Sequence, residues 1–192
     1  MKIGVCKITE GIFMITLPMP FRLKYVNIFV FPEGGGFTLI DTGPNLPGVL
    51  PALEASLAEI GLRVEDCGRI LITHFHMDHC GLAGVIAGRS GASVHLSEIE
   101  EGTLRAMSRQ EDRISTLTAF ALLHGLDRET IDSVVRAFSL FKSASTPFDA
   151  EGFLSDDDRL SIGNRRATVI ATPGHSRGHL SFYLPEERFL IA

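Results

Sequence analysis

Four residues able to ligate a metal fall within six positions of this sequence: His74, His76, Asp78 and His79, in the run Thr73-His74-Phe75-His76-Met77-Asp78-His79. The run follows directly on Arg69-Ile70-Leu71-Ile72-Thr73, a β-branched stretch that reads as a buried strand. In extended chain, residues two apart point to the same side, so His74 and His76 can grip one ion together. Past the strand end, Asp78 and His79 lie on the turn into the next helix, where they can face a second ion beside the first. Imidazole with carboxylate suits zinc and also iron or manganese, so ligand type alone does not name the metal. The general hydrophilicity of loops does not produce four such residues in so short a span.

A third imidazole completes the first set. Thr172-Pro173-Gly174-His175 stands at the end of a second strand, Ala167–Ala171, where Pro and Gly force a turn that projects His175 toward His74 and His76. Three histidines leave one tetrahedral position for water, the open arrangement of catalytic rather than structural zinc. Asp78 is the candidate catalytic carboxylate. His179, before the next apolar strand, reads as a supporting residue, as does Thr73. Asp41, in Leu39-Ile40-Asp41-Thr42-Gly43, either orients a ligating histidine through its distal nitrogen or organises an Asx-type turn with Gly43. Both roles are compatible. His95 and His124 have no partners nearby in sequence, and Cys80 reads as a small packed residue.

These residues need elements to carry them. Strands fill the first forty positions, with a hairpin signal where Pro32-Glu33-Gly34-Gly35-Gly36 separates Val26–Phe31 from Phe37–Ile40. Apolar residues at helical spacing from Leu46 to Ile60 predict a helix opened by Asn45 and Pro47 and closed by Gly61. Ser93–Leu96 reads as another strand. Ser97-Glu98-Ile99-Glu100 then matches a capping box. Three helices follow near 97–109, 111–124 and 127–142, and Ser143–Asp158 reads as a loop. Strands return at Ala167–Ala171, Leu180–Leu184 and Phe189–Ile191. Strands with helices between them make one α/β layered domain, 1–192, carrying a helical insert near 97–142.

LIDTG at 39–43, THFHMDHCG at 73–81 and TPGHSRGH at 172–179, in this order, resemble the metallo-β-lactamase fold superfamily. The resemblance implies a four-layer αββα sandwich with the metal site at one edge of the two sheets. It matches His74, His76 and His175 to the ligands of a first metal, and Asp78 and His79 to ligands of a second. The spelling of the last motif is similar to glyoxalase II-like and lactamase-beta-like 2 members. Such members continue into a bridging Gly-Asp and a further histidine, which are not found before Ala192. The expectation is therefore a chain incomplete at its C-terminus, lacking the second half of the sandwich.

Composition narrows the function. The chain has 192 residues, 45% hydrophobic and 21% charged, with 18 Lys+Arg against 23 Asp+Glu for a net charge of −5. Mean hydropathy is +0.20. Intrinsic disorder is excluded, and neither a nucleic-acid nor a membrane-surface footprint is favoured. Three widely spaced cysteines and the lack of a signal-peptide pattern fit the cytoplasm. The implied function is metal-assisted hydrolysis of an ester-like bond in a small molecule, a thioester or lactone, with one or two Zn2+ ions (Fe or Mn also fitting). A metal-dependent ribonuclease is the alternative, with Arg105, Arg109, Arg113, Arg128 and Arg136 available to phosphates. A persulfide dioxygenase and a non-catalytic metal-binding module on the same scaffold complete the alternatives. Met107, Leu117, Phe120, Leu122 and Leu123 offer a homodimer face or pocket lid.

Overall fold

Alternating apolar residues make the first four elements strands: β1 (Gly4–Thr9), β2 (Ile12–Pro18), β3 (Tyr25–Glu33) and β4 (Gly36–Ile40). The computed structural model describes residues 3–108 and 111–192, apart from the side chains of 108, 111–113, 137, 138 and 140–142. The β3–β4 turn is tighter than expected, only Gly34 and Gly35, both with positive φ. Helix α1 (Val49–Glu59) buries Val49, Leu53 and Leu57, and Gly61 follows its end at φ 76°. A 3-10 turn (Val64–Asp66) leads into β5 (Cys67–Leu71). Then come α2 (Met77–Cys80), α3 (Ala83–Ser90) and β6 (Ser93–Leu96).

The insert holds the three expected helices, α4 (Glu98–Ser108), α5 (Glu111–Leu123) and α6 (Arg128–Ser143). The loop expected over 143–158 instead contains β7 (Gly152–Phe153), and β8 (Arg159–Ile162) follows it. Both are too short to show a period of two. β9 (Arg165–Ala171), β10 (Leu180–Leu184) and β11 (Phe189–Ile191) end the chain.

Two sheets result. The first has seven strands in the order β1 to β7, antiparallel as far as β4 and parallel from β4 to β7. The second has four antiparallel strands in the order β11-β10-β9-β8. The period of two sorts side chains between two cores. Leu39 and Ile70 face α1 and α3, whereas Ile40 and Leu71 face the second sheet with Phe31, Val169 and Phe182. All five of this second group are buried from solvent, at 0–1% exposure.

The second sheet supplies one layer of the half of the sandwich expected to be missing. Helix–strand packing of any extent, among the described residues, lies on the first sheet. The described layers are therefore helix, sheet, sheet. Nor is the outer side of the second sheet a bare apolar face, since Arg166, Thr168 and Ser181 alternate there with Ile170 and Tyr183.

The expected capping box is half formed. Ser97 Oγ accepts the Glu100 N–H at 3.2 Å, as a helix cap should. The Glu100 carboxylate does not return to the Ser97 amide. It is drawn away to two other peptide groups.

Leu117, Phe120 and Leu123 of α5 are 60–82% exposed. Leu117 and Phe120, with Ile131 and Val134 of α6, flank an apolar groove of about 370 Å³. Arg105 is ion-paired with Glu101, and Arg128 and Arg136 are exposed. Arg109 and the Arg113 side chain lie outside the described residues. Among the described residues, no helix is long and apolar enough to cross a membrane.

Candidate metal centre

The parallel strands β4, β5 and β6 all end at one edge of the first sheet, and the chain leaves them through Asp41, Thr73-His74 and Ser97. At the ends of parallel strands, loops rather than ladder bonds fill the space, so polar side chains can converge there. β9 of the opposite sheet delivers Thr172 and His175 to the same edge. The two loops are tied where the Leu180 N–H donates to the Thr73 carbonyl at 2.9 Å.

His74, His76 and His175 come together there. His76 Nδ1 lies 3.0 Å from His74 Nε2 and 2.9 Å from His175 Nε2. Their ligand atoms all lie within 4.8 Å of one another, the one such group of three or more among the described residues. His74 is buried, His76 half-buried and His175 exposed, so the cluster has a dry floor and an open side.

The network behind the cluster assigns the tautomers. Asp41 is buried, at 3% exposure, and its carboxylate accepts the Thr73 N–H at 2.9 Å. The Thr73 hydroxyl donates to Asp41 Oδ2 at 2.9 Å. Having spent its only proton, that hydroxyl must accept from His74 Nδ1 at 3.0 Å. His74 Nε2 is thus a bare lone pair facing the cluster. His79 Nδ1 donates to Asp41 Oδ2 at 2.7 Å, which leaves its Nε2 free, 3.7 Å from Asp78 Oδ2.

Of the two roles considered for Asp41, the orienting contacts are the ones made. It touches His79 directly and His74 through Thr73, and it does so from a left-handed backbone at φ 59°. An Asp tolerates that conformation better than most residues. His179 stacks beside His74, ring centres 4.9 Å apart, and its Nδ1 meets Thr172 Oγ1 at 2.8 Å.

The charges follow from this burial. Desolvation, reinforced by the surrounding histidines, pushes His74 down to about 2. Burial, and then the charge of His175, lowers His76; burial likewise lowers His179. Burial also opposes charge on His79, but the charge and hydrogen bond of Asp41, with Asp78, outweigh it and raise its basicity. Neutral imidazoles with inward lone pairs are the form in which histidine binds metal. Nitrogens sharing a tetrahedral zinc at about 2.0–2.1 Å stand about 3.3 Å apart, close to the two separations from His76 Nδ1. The donor set therefore fits a divalent ion.

Cys80 takes no part in this chemistry. Burial, aided by the charges of Asp41 and Asp78, pushes its thiol up to about 12, and the thiol donates to the Phe75 carbonyl at 3.0 Å. His95 and His124 stand apart from the cluster: His95 Nε2 meets Ser93 Oγ at 3.1 Å, and His124 stacks on Phe120. Sequence reasoning missed Glu100 and Thr172. Glu100 was legible only as a helix cap, and Thr172 only as part of a turn.

Comparison with known proteins agrees with this geometry. Residues 22–192 match the family model of the metallo-beta-lactamase superfamily. Among curated relatives, the probable metallo-hydrolase YqjP of Bacillus subtilis is 35% identical over 179 residues, 91% of this chain and 54% of the relative. The hydroxyacylglutathione hydrolase of Fuscovulum blasticum is 30% identical over 150 residues, 78% of this chain and 39% of the relative. The chain thus spans about half the length of the curated relatives it matches, or less. Among solved structures, a metallo-beta-lactamase family protein of Thermus thermophilus superposes with a TM-score of 0.83 at 34% identity, over 97% of this chain and 60% of that one. Motif order, two-sheet architecture and converging histidines agree with the match over 22–192, and the chain belongs to the metallo-beta-lactamase superfamily.

Proposed function

We propose that the protein is a metal-dependent hydrolase of thioesters, with zinc held by His74, His76 and His175. The observation that carries this reading is the convergence of three imidazole rings, from two sheets, on one open-sided point. The relatives support the substrate class. One is named a metallo-hydrolase and another a hydroxyacylglutathione hydrolase, and an acyl group on glutathione hangs from sulfur.

A zinc ion held there would supply Lewis acidity and lower the pKa of a coordinated water from 15.7 toward about 7. The remaining work falls to this chain's side chains. Asp41, through Thr73, keeps the His74 proton on Nδ1 and the lone pair of Nε2 inward. Asp78, partly exposed and 3.7 Å from His79 Nε2, would be the carboxylate to take a proton from an attacking water and to orient it. Asp78 and His79 also offer two ligands for a second ion. The exposed side at His175 is where substrate approaches.

The test joins elemental analysis with turnover of a thioester, a lactone, a lactam and RNA. Replacing His74 and His76 by alanine should remove both the bound metal and thioester cleavage. Thioester cleavage that survives those replacements, or exhaustive chelation, overturns the mechanism. Preference for another panel member overturns the substrate class alone.

A further inference from the structure

Behind the cluster, one buried carboxylate joins the two ligand-bearing loops. Glu100 is 0% exposed and stands in the first turn of α4. Its two oxygens serve different loops: Oε2 accepts the Phe75 N–H at 2.8 Å, and Oε1 accepts the Gly178 N–H at 2.6 Å. Phe75 sits between His74 and His76, whereas Gly178 lies three residues past His175 and just before His179. Ser97 seconds the link, its hydroxyl donating to the Gly178 carbonyl at 2.8 Å. The joint is close-fitting. A Cβ on Gly178 would meet Ser97 Oγ, and would come within 2.8 Å of both Glu100 Oε1 and Ile99 Cβ.

We propose that Glu100 is a positioning residue that sets the spacing between the His74–His76 loop and the His175 loop, so that three imidazoles can share one ion. The proposal rests on reading those histidines as a metal centre. Burying a carboxylate is costly, and helix capping alone does not require it, because Ser97 already caps α4. The geometry calls for two acceptor oxygens on one rigid group. Glutamine offers one oxygen and an NH2, which would set a donor against a peptide N–H. The Leu180–Thr73 backbone bond ties the two loops independently of Glu100.

The experiment is metal binding. Co2+ titration is followed by its d–d absorption, and Zn2+ affinity is measured by competition with a chromophoric chelator. Glu100→Gln should bind both ions roughly 10–100-fold more weakly than the unaltered protein, with a changed Co2+ spectrum. Gly178→Ala, which presses on the same joint from the other loop, should weaken binding likewise. Leu53→Ala removes a buried side chain of α1, remote from the joint, and should lower stability while leaving affinity unchanged. Equal affinity in Glu100→Gln and the unaltered protein overturns the positioning role and leaves the metal centre intact. An equal loss in Leu53→Ala overturns it too, by tracing the effect to stability. Failure of the unaltered protein to bind Co2+ overturns the metal centre, and this proposal with it.

Discussion

Asp41 shows how much one side chain organises. It accepts from the Thr73 amide, the Thr73 hydroxyl and His79 Nδ1, all from a buried position in left-handed backbone. Asp41→Asn is nearly isosteric, but it brings an NH2 among groups that all donate. Zinc affinity should fall roughly 10–100-fold, as it does when partners of ligating histidines are altered elsewhere. Competition with a chelator measures this, and unchanged affinity would show that His74 and His79 orient themselves. His74, His76, Asp78 and His79 were legible because their chemistry is written contiguously. His175 was legible because a strand and a Pro-Gly turn announce where it emerges. Glu100 was not, since Ser-x-x-Glu spells a capping box whether the carboxylate returns to its own helix or reaches two distant loops. Only tertiary contacts decide between those outcomes.

At the scale of elements, the insert differs from the body that carries it. Strands β2 to β5 bury nearly every inward residue, whereas α5 exposes Leu117, Phe120 and Leu123, and α6 buries Ile131 alone among its described side chains. Few buried contacts mean a low free energy of local opening. Amide hydrogens of α5 and α6 should therefore exchange well before those of β3 and β4, as mass spectrometry of peptic fragments would show. Uniform protection would mean that the α5–α6 pair is held by more than its own groove. The long strands and the insert helices were legible because each covers enough residues to show its period. β7 and β8 were not, because two and four residues carry no periodicity and their pairing is set by β6 and β9.

For the whole molecule, the decisive interface is that between the two sheets, where Phe31, Ile40, Leu71, Val169 and Phe182 meet. Phe182 is fully buried there, and Phe182→Ala should cost about 3–5 kcal/mol in chemical denaturation. A loss under about 1 kcal/mol would mean that the second sheet adds little to the fold. This sheet was the least legible part of the molecule. A family pattern that runs past Ala192 suggested that half the sandwich was missing; β8 to β11 supply its sheet, while helix packing of any extent lies on the first sheet among the described residues.

β6 and β7 lie side by side and parallel, so all the chain from Ser97 to Glu151 is one crossover between neighbouring strands. Doubling a flexible connection costs only about 0.6 kcal/mol in closure entropy. Past the joint at Ser97 and Glu100, the insert helices can thus change in length at little cost in closure entropy.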